Sequence, residues 1–241
     1  MEVNHIKYGN EIIKYEICRK KVKNINLNVK PNLKIIISAN YEVPLDYINN
    51  FVMEKAEWII KQLTYFKNAQ PDNIVEKEYV SGETFKYLGK QYRLKVVETI
   101  GVEEVKLFQG YLRLYIKDKK NIQKKKSLID EWFRTKAYKK FKVSFEKIYP
   151  LIEKYGVSKP ELGIRIMKAR WGSCLYKKNI ILLNLDLIKA PTYCIEYVLL
   201  HEMIHFIHKY HNKDFYYLMT VLMPDWKKRK EILDKEVVRE L

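Results

Sequence analysis

The segment TYCIEYVLLHEMIHFIHKYH, residues 192–211, decides how this chain is read. Pro191 and Thr192 mark a helix start, and positions 195–207 are apolar wherever they are not histidine or glutamate. A helix apolar around most of its circumference is a buried one. Set into it are His201, Glu202, His205 and His208, with His211 just beyond, and the only other histidine is His5. Buried imidazoles without partners are costly, so the cluster implies a task.

That task is metal binding. Four residues apart, His201 and His205 project from one helical face and can direct two ring nitrogens at one ion. Zinc accepts such nitrogens at about 2.0–2.1 Å, and a catalytic zinc needs a third protein ligand plus water. Glu202 stands beside the first ligand, where its carboxylate can take a proton from that water. For the third ligand two histidines compete. In an unbroken helix His208 lies about 10 Å along the axis from His201, too far to converge. If the helix ends near His208, the chain can turn and return His211. The spacing fits the longer His-Glu-x-x-His-x-x-Gly-x-x-His pattern with His208 in the glycine place, and histidine tolerates a left-handed backbone better than most residues. His211 is therefore read as the third ligand, and His208 as a cap, a turn residue or a support for a ligand ring. Asp214 is either an acceptor for a ligand imidazole or a solvated loop carboxylate. Glu231 is the carboxylate alternative to His211.

Composition sets the frame. The chain has 241 residues, 47% hydrophobic and 13% aromatic, enough for one large or two small cored domains. No apolar run approaches the roughly 18 residues of a membrane span, and Met1 to Lys20 lacks the apolar segment of a signal peptide. Three scattered cysteines, Cys18, Cys174 and Cys194, form no framework and fit a reducing compartment. The expected location is the cytoplasm. The net charge of +17 invites a nucleic-acid partner. Most of the cations are lysine, however, and base recognition leans on arginine. A solvated lysine-rich surface and an acidic or nucleic-acid partner both remain open.

Outside the histidine segment the pattern is mixed α+β. Ile25, Leu27 and Val29 alternate with asparagines as in a half-buried strand, and residues 33–38 supply a partner across a Pro31-Asn32 turn. Pro44 opens a helix whose stripe runs through Leu45, Ile48, Val52, Ala56, Ile59 and Leu63 and ends before Pro71. Two hairpins follow, one turning at Gly89-Lys90 and the other at Gln109-Gly110. The lysine-rich stretch 118–126 is the expected boundary, dividing a strand-rich region, 1–118, from a second domain, 119–241. In the latter a long helix carries Leu128, Trp132, Ala137 and Phe141 until Pro150. Two strands, 162–166 and 179–188, are then joined by a loop containing Trp171 to Cys174.

These residues resemble a known family. Arg170-Trp171-Gly172-Ser173-Cys174, the strand ending in Leu183-Asn184 and the segment Tyr197 to His211 look like the YgjP-like metallopeptidases, which are similar to the SprT-like and WLM zinc proteases. Phe215, Pro224-Asp225-Trp226, Trp58-Ile59 and the Gly89 hairpin also fit, so the resemblance covers most of the chain. It implies a zincin-like metallopeptidase domain, with the active-site helix beside a small sheet. It further implies one zinc on His201, His205 and His211, with Glu202 as catalytic carboxylate. The box adds Arg170, Trp171, Gly172 and Ser173 as candidate substrate contacts: Gly172 would let a substrate backbone approach and Arg170 would steady an anionic group. A structural loop with Trp171 in the core is the alternative. Cys174 reads as a small buried residue.

Three functions follow for testing. The first is a zinc-dependent peptidase acting on peptide or protein. The second is a metal-dependent nucleotide pyrophosphate hydrolase, a reaction also associated with the family, although no Gly-rich phosphate loop is present. The third is a nucleic-acid module with structural zinc, against which Glu202 argues, since a structural site has no use for a free carboxylate.

Overall fold

The computed structural model describes residues 2–30, 33–69, 77–167 and 170–237. The chain divides into two compact units, the first running to Ile74 and the second spanning Val75–Val237.

In the first unit β1 (Glu2–Tyr8) and β2 (Glu11–Arg19) form a hairpin turning at Gly9, whose φ of +59° suits glycine. β2 then pairs in parallel with β4 (Ile35–Ala39), which pairs antiparallel with β3 (Asn26–Val29), so the sheet order is β1-β2-β4-β3. Alternation on β2 turns Ile13, Tyr15 and Ile17 inward against Ile35 and Ile37. β1 is a weaker signal, because Ile6 is its only buried residue. The turn expected at Pro31-Asn32 and the expected stop at Pro71 lie outside the described residues.

The stripe expected as one helix is carried by two, α1 (Leu45–Glu54) and α2 (Ala56–Ala69), which meet at Lys55. Ile48, Val52, Ala56 and Ile59 are all buried across the break. Spacing reports the buried face, and a bend that preserves that face leaves no mark on it.

The second unit begins with β5 (Thr84–Tyr87), β6 (Lys90–Glu98), β7 (Glu104–Phe108) and β8 (Tyr111–Ile116), in the order β5-β6-β8-β7 with β6 and β8 parallel. Both hairpins turn through two left-handed residues, Leu88-Gly89 and Gln109-Gly110, whose twist matches that of the strands. The first turn is one residue earlier than expected, because Lys90 already pairs with Tyr87.

Asn121 caps the next helix, α3 (Ile122–Ile148), by accepting the Lys124 N–H at 2.9 Å. Pro150 then opens a short turn, α4 (Pro150–Glu153). The second sheet of this unit holds β9 (Glu161–Arg165), β10 (Gly172–Leu175) and β11 (Ile180–Asn184) in the order β10-β11-β9. β10 occupies part of the expected loop, and the strand expected over 179–188 ends at Asn184, where Leu185–Lys189 form a 3-10 turn. The remaining helices are α5 (Thr192–Ile204), α6 (Lys213–Leu222) and α7 (Trp226–Val237). Among the described residues no helix is long and apolar enough to cross a membrane.

The boundary expected at 118/119 falls inside this second unit. Leu94, Leu112 and Leu114 of the β5–β8 sheet share one core with Phe133 and Phe141 of α3 and with Leu183, Ile195 and Leu199. Lysine-rich residues 117–120 are thus a solvated connection within a core and not a linker.

The β5–β6 hairpin also seats the histidine helix. Leu88 N–H donates to the Ile188 carbonyl at 3.0 Å and Gly89 N–H to that of Lys189 at 2.8 Å. A Cβ on Gly89 would stand 2.6 Å from Pro191 Cγ at the head of α5, on a backbone with φ +79°. Gly89→Ala therefore combines left-handed strain with overpacking and should cost about 3 kcal/mol, read as a lowered urea midpoint. An unchanged midpoint would remove the seating role.

Candidate metal centre

α5 is apolar on nearly every side, with Ile195, Leu199, Leu200, Met203 and Ile204 fully buried. Its position is fixed on one flank by Glu196, a buried carboxylate that accepts from Lys147 of α3 at 2.7 Å and from Arg229 of α7 at 3.4 Å. His201 and His205 sit at its C-terminal end with ring centroids 5.1 Å apart. His205 terminates the helix at φ −63°, ψ −15°, so both rings keep a common face.

The helix thus stops at Ile204, earlier than the expected end near His208. No residue from 205 to 211 has a positive φ, so the left-handed turn assigned to His208 is absent. Tight bonds make the turn instead: Ile207 and His208 N–H groups both reach the Ile204 carbonyl at 2.9 Å. Asn212 then caps α6 by accepting the Phe215 N–H at 2.9 Å, and the intervening loop swings His211 back. Its Nε2 lies 2.9 Å from His201 Nε2, and its ring centroid is 4.8 Å from those of both His201 and His205. Phe215 forms a floor beneath all three rings at centroid distances of 4.8–5.0 Å. In the sequence Phe215 stands out only through the family resemblance, which assigns it no such role.

One nitrogen from each of the three imidazoles falls within 4.8 Å of the others. Tetrahedral ligands at zinc distances lie about 3.3 Å apart, so the donor set fits such an ion after small ring movements. Protonation agrees with that fit. Burial, then the neighbouring imidazoles and Lys230, hold His201 down to about 3, and burial lowers His205 as well. Their lone pairs are therefore free at neutral pH. His205 Nδ1 lies 3.1 Å from the His208 carbonyl. A carbonyl only accepts, so Nδ1 carries the proton and Nε2 is left for the ion. His208 thus acts through its backbone, and its ring stands outside the group of three.

Asp214 is exposed in the first turn of α6 and makes no hydrogen bond to the three rings. Glu231 on α7 is exposed and likewise outside the group.

Glu202 points at β10. It is only 7% exposed, and a Cβ on Gly172 would lie 2.7 Å from its Cγ and 2.8 Å from Oε1. Glycine at 172 makes room for this carboxylate. Burial pushes the Glu202 carboxyl up to about 7, against the opposing pull of the Cys174 backbone N–H and Arg170. The Cys174 thiol is itself pushed up to about 12 by burial and by Glu202. Cys174 also stands outside the group of three converging imidazoles.

A cleft of about 460 Å³ opens over the site and is lined by Arg170, Trp171, Gly172 and Ser173 together with the three imidazoles and Glu202. Its far wall comes from Tyr197 and from Lys230, Leu233 and Asp234 of α7. The α7 wall escaped sequence reading because α7 approaches α5 only in the tertiary fold, pulled in by Arg229 to Glu196.

A family model described as YgjP-like, metallopeptidase domain, matches residues 23–236 of the chain. No curated protein matches it.

Proposed function

The chain belongs to the YgjP-like metallopeptidase domain family, and on that premise we propose a zinc-dependent peptidase, with His201, His205 and His211 as ligands and Glu202 as general base. The observation that carries this reading is the convergence of three imidazole nitrogens beside a buried carboxylate. Zinc bound there would supply Lewis acidity and lower the pKa of water. The rest is the chain's own work. Glu202, whose proton affinity burial raises and a bound cation would lower, can accept a proton from the attacking water and return it to the departing amine. Among the described residues β10 is an edge strand paired only with β11, so an extended peptide can pair along its outer side. Gly172 and Ser173 would face that backbone, Arg170 would hold an anionic substrate group, and Trp171 would offer an apolar wall.

Cleavage of fluorogenic casein and of a mixed peptide library tests the proposal. Activity should appear with one zinc per chain, vanish with 1,10-phenanthroline and return on adding zinc. Absence of cleavage in both substrates by zinc-loaded protein would refute it. The second reading, nucleotide pyrophosphate hydrolysis, is favoured by one observation: Arg170, Lys209 and Lys230 all line the cleft, and cations suit phosphate oxygens. Nucleoside triphosphate turnover without peptide turnover would select it.

Gly172→Ala offers a more local check. The added methyl would collide with Glu202 Cγ and Oε1 at under 3 Å, displacing the base and not the imidazoles. Peptide turnover should fall roughly 100-fold, the scale of a misplacement near 1 Å, with zinc content unchanged. Wild-type turnover in this variant would show that Glu202 has slack.

A further inference from the structure

Asn184 ends β11 and is 1% exposed. Its carboxamide uses its full hydrogen-bonding capacity. Nδ2 donates to the Met167 carbonyl at 2.8 Å and to the Arg170 carbonyl at 3.0 Å. Oδ1 accepts the Met167 and Asp186 N–H groups, each at 3.3 Å. Its backbone N–H adds a fifth bond, to the Trp171 carbonyl at 2.9 Å. One side chain therefore grips both ends of the stretch from Met167 to Arg170, just before the strand that touches Glu202.

The chain of contacts from there is short. Asn184 holds the Arg170 and Trp171 carbonyls. The next residue, Gly172, pairs with Leu183 and lies against Glu202. Two residues further, the Cys174 N–H reaches the Glu202 carboxylate. β10 is four residues long and, among the described residues, pairs with β11 alone. Four bonds from one buried amide also exceed what is needed to end a strand, where a single capping bond serves.

We infer that Asn184 is a positioning residue: by holding Met167, Arg170 and Trp171 it sets β10 against α5 and thereby orients the Glu202 carboxylate beside the three imidazoles. The inference rests on Glu202 being the base, but the clamp itself does not require any particular substrate. Removing the carboxamide frees the Met167 and Arg170 carbonyls and the Met167 N–H ahead of β10, and the Asp186 N–H at the head of the turn after β11, while leaving the histidines untouched.

The test uses the full-length, zinc-loaded chain and the variant Asn184→Ala. Zinc content should stay at one per chain. Backbone amide exchange at Cys174, followed by NMR, should accelerate at least roughly tenfold as the strand loosens. Casein cleavage should lose roughly 10- to 100-fold in kcat, with KM little changed. In a Glu202→Gln background the same substitution should cost no further turnover, since the group it positions is gone.

Unchanged Cys174 exchange, or an equal loss of turnover in both backgrounds, would overturn the inference. Should no variant and no wild-type sample cleave casein, the peptidase reading fails while the exchange arm still decides the clamp. If Asn184→Ala does not fold, the isosteric Asn184→Asp, which loses both donors, is measured in its place. Unfolding of both would reduce Asn184 to a structural residue and end the proposal.

Discussion

Glu202→Gln is expected to keep its zinc and to cleave peptide roughly 10²–10⁴-fold more slowly, the range carried by a positioned general base. The three imidazole nitrogens are independent of the Glu202 side chain, and glutamine fills the same volume against Gly172. What disappears is the group able to move a proton. Normal turnover in this variant would strike Glu202 from the mechanism. A second readout comes from stability of the metal-free protein. A solvated glutamate loses its proton near pH 4.5, and burial pushes Glu202 up to about 7, so the folded state holds the proton more tightly. Raising the pH from about 4.5 to 7 therefore favours unfolding of the wild type, and glutamine has no such titration. The variant should match the wild type near pH 4.5 and exceed it above pH 7, by up to about 3 kcal/mol. Zinc should shrink the difference, because a nearby cation favours the carboxylate. Equal urea midpoints at pH 8 without metal would mean that Glu202 is solvated.

His201→Ala should abolish both zinc retention and turnover. In the proposed ligand set His201 shares a helical face with His205, and its Nε2 lies 2.9 Å from His211 Nε2. Two remaining imidazoles leave an ion with too few protein ligands for a catalytic site. Loss of affinity should exceed the roughly 10- to 100-fold typical of losing only a supporting partner. The measurement is zinc content after dialysis, together with the rise in melting temperature on zinc addition, which should occur in the wild type and be absent in the variant. A variant that still binds one zinc tightly would overturn the ligand set. Replacing His208 with alanine should do neither, since its contribution to His205 is a backbone carbonyl.

That contrast shows where sequence reading reached its limit. The common face of His201 and His205 was legible because a helix translates spacing into direction. His211 was legible by motif, yet the reason given for its return was wrong in detail. The helix stops at Ile204, and a tight turn without any left-handed residue does the work. End bonds of this kind depend on carbonyls that every residue carries, so side-chain identity hardly records them. Spacing also named the buried stripe Ile48, Val52, Ala56 and Ile59 but could not see the bend at Lys55. The boundary at 118/119 misled for a related reason. A run of lysines looks the same whether it joins two domains or wraps a turn between elements of one core.

The sequence by itself determined the mixed α+β class, the buried histidine helix and the identity of the chemical groups, because these follow from periodicity and residue type. Only the tertiary structure decided what those groups face. It set Gly172 under Glu202, Phe215 beneath three imidazoles, the His208 carbonyl against His205, and α7 across the cleft. Each of these contacts joins elements packed from different parts of the second unit or turns on backbone geometry. Their strength comes from burial, which raises the Glu202 carboxyl and keeps His201 unprotonated. Burial is a property of the assembled core, and local spacing carries no measure of it.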